Sequence, residues 1–189
     1  MIQTLHGVVG RVQNYGEADR IVEVLTQEEG KVAFLARGAR SSRRRFGGVL
    51  DLFVSLCLQA VPRPNLWTLQ SAEAQSLRVG IRSNLTAYAR ASALCECVRI
   101  LAPLGQCSNE LLTAFEMGLN HLDRGEWRAA INVYPDLLMA AGIMPEAHVL
   151  GFPCVDEAAT ERAVLAWVEH QSGIKMKTRH LTPAQTSIL

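Results

Sequence analysis

The spacing of apolar residues changes near residue 80, and that change limits the chain to a two-part fold. Upstream, Asp19-Arg-Ile-Val-Glu-Val-Leu-Thr26 alternates, with Ile21, Glu23 and Leu25 on one side and Val22 and Val24 on the other. A period of two is the signature of a strand. Similar runs occupy residues 5–12, 31–37, 49–58 and 66–73, punctuated by Glu29-Gly30 and by Pro62-Arg-Pro-Asn65. Five short strands joined by turns predict a small closed barrel rather than a parallel sheet, and a barrel of this size suggests the OB-fold, a common nucleic-acid-binding scaffold.

Downstream of Ser83 the period becomes three to four. Ser83-Asn84 is read as the cap of a helix with Leu85, Tyr88, Ala89, Ser92, Cys95, Val98 and Leu101-Ala102 on its inner stripe, ended by Pro103-Leu-Gly105. Ser108-Asn109 opens a second, carrying Leu111, Leu112, Phe115, Leu119 and Leu122 to Gly125. A third spans Trp127 to Ala141, with Pro135 starting a new turn or kinking it, and a fourth spans Asp156 to Gln171 with Ala159, Ala163, Ala166 and Trp167 facing inward. The expected class is α+β: an N-terminal five-stranded OB-fold-like β-barrel over residues 1–80, followed by an α-helical bundle over 81–189, with the boundary near 78–83.

A chain of 189 residues, 49% hydrophobic and 20% charged, has material for a proper core. No window nears the ~18 apolar residues that span a bilayer, and the first residues, MIQTLHGVVGRVQN, lack the pattern of a secretory signal. A cytoplasmic, nucleoid-associated protein with no membrane partner is expected. Cysteines 57, 95, 97, 107 and 154 form neither a C-x-x-C pair nor an even disulfide set, so they read as buried thiols.

Net charge is +1, yet its distribution is uneven. Between Lys31 and Leu50 stand six basic residues and no acid, five of them arginines at 37, 40, 43, 44 and 45. Such a run serves either as a solvated loop or as a grip on a polyanion. Arginine offers a fork that matches phosphate oxygens, and single-strand binders add an aromatic for base stacking. Phe46 has two readings: it stacks on a base or it plugs the barrel. Lys175, Lys177 and Arg179 form a second basic strip, either a solvated tail or a second contact. The DNA-binding candidates are therefore Lys31, Arg37, Arg40, Arg43, Arg44, Arg45, Phe46, Lys175, Lys177 and Arg179.

The remaining patterns argue against catalysis. Glu17 and Asp19 sit in Tyr15-Gly-Glu-Ala-Asp-Arg20 with no second acidic cluster, whereas two-metal chemistry needs several converging carboxylates. They read as a structural turn with a local Asp19–Arg20 pair. The five histidines are scattered, and neither G-x-S-x-G nor a phosphate-binding G-x-x-x-x-G-K-[ST] is present. A non-enzyme without cofactors is expected, with Trp127 and Trp167 as core anchors.

Four motifs in order, Tyr15-Gly-Glu-Ala-Asp-Arg20, Leu25-Thr-Gln-Glu-Glu-Gly-Lys31, Ala36-Arg-Gly-Ala-Arg40 and Arg45-Phe-Gly-Gly48, resemble the N-terminal barrel of the RecO family of bacterial recombination mediators. The likeness continues, more loosely, through Leu137-Leu-Met-Ala-Ala-Gly142 and returns at Val168 to Arg179. It implies a DNA repair and recombination mediator that binds single- and double-stranded DNA and anneals complementary strands. It further implies work with RecR, and with RecF, to load RecA onto DNA coated by the single-stranded DNA-binding protein, SSB. The family's helical domain captures the acidic, phenylalanine-ended SSB tail, for which Arg90, Arg99, Arg124 and Arg128 are the candidates here. An adaptor that binds SSB or RecR with little DNA binding of its own is the alternative, and an RNA-binding barrel fits the arginines equally well. Many relatives also carry a four-cysteine zinc module between the Leu-Leu-x-x-x-Gly helix end and the last helices. The corresponding stretch, residues 143–158, holds Cys154 alone, and a structural zinc site wants four ligands, so a shortened, zinc-less member with no metal is expected.

Overall fold

The computed structural model describes residues 1–41, 46, 48–102, 105, 108–145 and 157–178. Five strands come first: β1 (Gln3–Tyr15), β2 (Asp19–Thr26), β3 (Gly30–Ala36), β4 (Ser55–Val61) and β5 (Trp67–Ser76). Six helices follow among the described residues: α1 (Val79–Ser83), α2 (Leu85–Leu101), α3 (Asn109–Asp123), α4 (Trp127–Ile131), α5 (Tyr134–Ala140) and α6 (Glu157–Ser172). The chain divides into two compact units, residues 1–77 with 102–112 and residues 78–101 with 113–189.

The first unit is a closed barrel in the order β1-β2-β3-β5-β4, the OB-fold-like barrel that the strand count implied. Alternation supplies its interior: Leu5 and Val9 of β1, Val22 and Val24 of β2, Val32, Phe34 and Ala36 of β3, and Leu56, Leu58 and Ala60 of β4 all face one core. β1 serves two neighbours, pairing with β2 from Gly7 to Tyr15 and with β4 from Gln3 to Val8. A register shift between Val9 and Arg11 lets it turn from one partner to the other. The seam between β3 and β5 is the shortest, a parallel pairing at Phe34–Trp67 and Leu35–Thr68. There the two rings meet edge to face with centroids 6.0 Å apart, so aromatic packing supplements a ladder of only two residue pairs.

Residues 49–54 are not the start of a strand. Asp51 caps its own turn through the Leu52 amide, Phe53 adopts a positive φ of 67°, and the β4 ladder begins only at Ser55. Leu50 and Val54 are nevertheless buried in the barrel core. A continuous apolar run therefore signalled burial correctly and conformation wrongly, because a plug and a strand bury the same residue types.

Gly7 of β1 pairs on both sides, with Thr26 of β2 and Leu56 of β4. A Cβ there would collide with the Leu25 carbonyl and the Thr26 Cα, both backbone and unable to yield. Gly7→Ala is expected to lower barrel stability by about 1–3 kcal/mol, the usual cost of overpacking. Chemical denaturation followed by far-UV circular dichroism measures it, and an unchanged midpoint would show that β1 and β2 separate at no cost.

In the second unit Asn84 caps α2 through the Ala87 amide, as the sequence suggests. Ser108, which belongs with residues 102–112 to the first unit, does the same for Leu111 at the start of α3. The inner stripe of α3 is as read, with Leu111, Leu112, Phe115, Leu119 and Leu122 buried. Pro135 opens α5 and separates it from α4. Two helices are rotated from expectation. In α2, Ala89, Cys95 and Val98 of the expected stripe are buried, as is Ala102 just past its end, but Leu85 is 87% exposed and Tyr88 also faces solvent, and Ala87, Ala91 and Leu94 are buried in their stead. In α6, the buried face is Ala158, Glu161, Val164, Leu165 and Val168 rather than Ala159, Ala163, Ala166 and Trp167. The cause in α2 is alanine, whose weak hydropathy hides a close-packed face. In α6 it is a buried carboxylate at 161, which makes the inner face look polar.

Candidate nucleic-acid interface

Arg37 and Arg40 follow β3 directly and stand exposed on the segment that crosses to the β1–β2 hairpin. That crossing is pinned by several hydrogen bonds. The Gly38 amide donates to Asp19 Oδ1 at 2.8 Å, the Arg40 amide donates to the Ala18 carbonyl at 2.9 Å, and Arg40 Nη1 donates to the carbonyls of Gly16 and Glu17 at 3.2 and 3.0 Å. Gly38 has a φ of 69°, which lets the chain turn back after β3. The two turn motifs noted in the sequence, Tyr15–Arg20 and Ala36–Arg40, are thus one structural unit at one end of the barrel. Asp19 and Arg20 do not pair with each other as expected. Asp19 holds the Gly38 amide, and Arg20 Nη1 donates to the Leu50 carbonyl at 3.1 Å. Asp19 and the hairpin carbonyls therefore hold Gly38 and Arg40, which supports the structural-turn reading.

Phe46 takes the plug reading. It is 3% exposed and belongs to the barrel core with Leu50 and Val54, so its ring presents no face for a base. Its burial fixes the far end of the basic segment, as Arg40 fixes the near end. Lys31 lies on β3, half-buried and opposite Leu25 of β2. Arg43, Arg44, Arg45 and Arg179 lie outside the described residues.

Lys175 and Lys177 are exposed on the segment leaving α6, in the other unit. This segment is tied down by Met176, which is buried, and by Glu96 of α2. The Glu96 carboxylate accepts the Lys177 amide at 3.0 Å and the Thr178 amide and hydroxyl at 2.8 and 2.6 Å. Burial pushes the Glu96 pKa up, but these hydrogen bonds and the nearby Arg99 outweigh it and hold it below its ordinary value of 4.5. A carboxyl depressed by folding stabilises above its unfolded pKa and loses that contribution as pH falls through the folded value. Docking of residues 174–178 is therefore expected to weaken below about pH 4.5. Glu96→Gln should speed hydrogen exchange at the Lys177 and Thr178 amides already at pH 7. Full protection in that variant would show that Met176 alone holds the segment.

The four arginines assigned to a peptide tail separate into three settings. Arg124 and Arg128 are exposed, and Arg128 lines a shallow depression with Gly125, Glu126, Trp127 and Ala129. Arg90 meets the Trp127 ring instead, its guanidinium 5.6 Å from the ring centre. Its side chain is 12% exposed and faces Glu161, 2% exposed, at 3.7 Å. Arg90 is thus committed to a buried pair rather than to a surface rim. Arg99 sits nine residues further along α2, about 13 Å at 1.5 Å per residue, beside Glu96. Trp127, read as a core anchor, is only partly buried and contributes a wall of the depression. Trp167 is an anchor, its Nε1 donating to the Ile143 carbonyl at 2.8 Å.

Cys57, Cys95 and Cys97 are thiols, with Cys97 pushed up to about 12 by burial. Cys107 and Cys154 lie outside the described residues. Among the described residues no three His, Cys, Asp or Glu side chains converge as metal ligands, and no helix is long and apolar enough to cross a membrane.

Residues 1–78 match the family model described as "Recombination protein O N terminal". Over 145 residues, 75% of this chain and 57% of the relative, the sequence is 41% identical to the DNA repair protein RecO of Anaeromyxobacter sp. (strain Fw109-5). It is 40% identical to that of Syntrophotalea carbinolica over 70% of this chain and 53% of the relative. Identity to that of Geobacter sulfurreducens is 39%, over 62% of this chain and 49% of the relative. The matched region spans about half the length of these relatives.

Proposed function

We propose that this chain, whose residues 1–78 match the RecO N-terminal family model, is a non-enzymatic DNA-repair mediator whose barrel, residues 1–80, holds DNA and whose helical part, residues 81–189, receives protein partners. The observation that carries this reading is the pinned crossing at the barrel end. Asp19 and the hairpin carbonyls hold Arg37, Gly38 and Arg40 in one place, at the head of a segment with five arginines and no acid. Holding Arg40 in place in advance lowers the entropic cost of seating a phosphate beside it. Neutralising phosphates also lowers the repulsion between two strands, which is what annealing requires and for which no bond chemistry is needed. RecA loading on SSB-coated strands with RecR, and with RecF, follows from the family and is part of the proposal.

A second reading, an adaptor for the SSB tail, is favoured by the depression at Trp127 and Arg128, where an apolar wall meets a basic rim. Arg124 and Arg128 are its testable residues, since both are exposed.

Fluorescence anisotropy of labelled single-stranded DNA across a salt series separates the two readings. With about five phosphates neutralised, log K is expected to fall against log salt with a slope near −3.5. A slope near zero from folded protein rejects the DNA reading and leaves the adaptor. Competition with RNA of equal length tests the sugar, which phosphate contacts alone do not distinguish.

A further inference from the structure

Burial of Phe46 leaves the arginine surface without the aromatic that a single-strand grip needs, and another residue is placed to supply one. β1 runs beyond the barrel body, pairing with β2 as far as Tyr15–Asp19, so Tyr15 stands at the hairpin tip. It is 52% exposed. The other described aromatics of the barrel unit are not available in this way: Phe34, Phe46 and Phe53 are buried, and Trp67 is partly buried against Phe34. A large exposed ring gains little for stability where it stands, and nothing in the barrel core needs it.

The turn beside Tyr15 carries the Glu17 and Asp19 carboxylates, and hydrogen bonds bring Arg40 onto it. Arg40 Nη1 donates to the carbonyls of Gly16 and Glu17, the two residues that follow Tyr15, and the Arg40 amide donates to Ala18. The guanidinium is thereby seated on the same turn that carries the ring. Arg37, also exposed, is one residue from the Gly38 amide held by Asp19, the register partner of Tyr15. A turn ordered in advance lowers the entropic cost of binding beside it.

We propose that Tyr15 is the stacking platform of this surface, receiving one unpaired base of single-stranded DNA while Arg37 and Arg40 hold the flanking phosphates. The inference rests on the barrel being a DNA grip and adds to it a preference. Bases within a duplex are already stacked on one another, so Tyr15 contributes to single strands and not to double strands. Phosphate contacts supply affinity for both forms, and the ring supplies the difference.

The test measures binding of wild type, Tyr15→Ala and Tyr15→Phe to a thymidine oligonucleotide, to an abasic strand of the same length and charge, and to a duplex. Tyr15→Ala is expected to bind the thymidine strand about 10-fold more weakly, within the ~1–3 kcal/mol range for stacking of one base on an aromatic. Its salt slope should be unchanged, because no phosphate contact is removed. Tyr15→Phe should stay within about 2-fold of wild type, since the face and not the hydroxyl is used. The abasic strand and the duplex should bind all three proteins alike. Equal losses on every ligand, or no loss on the thymidine strand, overturn the stacking role. Salt-steep binding with a neutral Tyr15→Ala overturns the platform alone. Absence of binding to any strand by wild type overturns both the platform and the grip beneath it.

Discussion

Glu161→Leu alone is expected to lower stability by about 3–5 kcal/mol, the cost of leaving a buried charge without its partner. The partner is Arg90, whose Nε lies 3.7 Å from Glu161 Oε2, with the two side chains 12% and 2% exposed. Tyr134 completes the group by donating its hydroxyl to Glu161 Oε1 at 3.3 Å. The pair is poorly compensated. Arg90 Nε and Nη1 and Glu161 Oε2 are buried without a hydrogen-bond partner, around a cavity of about 10 Å³ lined also by Leu94, Leu122 and Ile131. Burial accordingly raises the Glu161 pKa despite the attraction of Arg90 and the Tyr134 hydrogen bond. Desolvation outweighs attraction in this pair, so replacing the whole group should cost little. Arg90→Met with Glu161→Leu and Tyr134→Phe is expected to lie within about 1 kcal/mol of wild type or above it. Thermal and denaturant melts of the single and triple variants decide the matter; a single variant as stable as wild type would mean that water reaches the pair. The raised pKa also has a sign. A carboxyl raised by folding stabilises below its unfolded pKa and loses that contribution as pH rises through the folded value. This group should therefore favour the folded state more at mildly acidic pH than at neutral pH. The practical consequence concerns peptide capture, since charge reversal at Arg90 would report unfolding, whereas Arg124 and Arg128 report the surface.

The second large effect is on DNA. Arg43/Arg44/Arg45→Ala is expected to weaken single-strand binding about 100-fold near 0.1 M salt and to flatten the salt slope by about 2, because each neutralised phosphate contributes ~0.7 to that slope. The three residues follow directly on the segment that Arg40 and Asp19 pin to the hairpin, and they precede Phe46 in the barrel core. Neither anchor is touched by the substitution, so the fold should survive, and an unchanged far-UV spectrum with lost affinity is the expected pair of results. A loss under about 3-fold with an unchanged slope would return these arginines to solvation.

Much of this arrangement was legible in the residues. Alternation at Ile21 to Leu25 and the turn residues around it identified strands because the pleat places successive side chains on opposite faces. Asn84 and Ser108 marked helix starts because a short side-chain acceptor meets an orphan amide there. The arginine run was visible as charge without acid. What escaped was every feature that depends on a partner distant in sequence. The segment 49–54 is a plug and not a strand, and only packing decided between the two readings of Phe46. Tyr15 is exposed because β1 outruns the barrel it helps to close. Arg90, read as a candidate for a peptide tail, is buried against Glu161, seventy-one positions away.

The sequence by itself determined the division into strands and helices, the barrel class and the place of the basic segment, since each follows from local periodicity, local turn chemistry or local charge. Tertiary structure alone decided which aromatic faces solvent, which arginines stay at the surface and which way α2 and α6 are turned. Those choices are settled by competition for a limited interior, and a chain read one neighbourhood at a time carries no record of which distant residue will win a place in it.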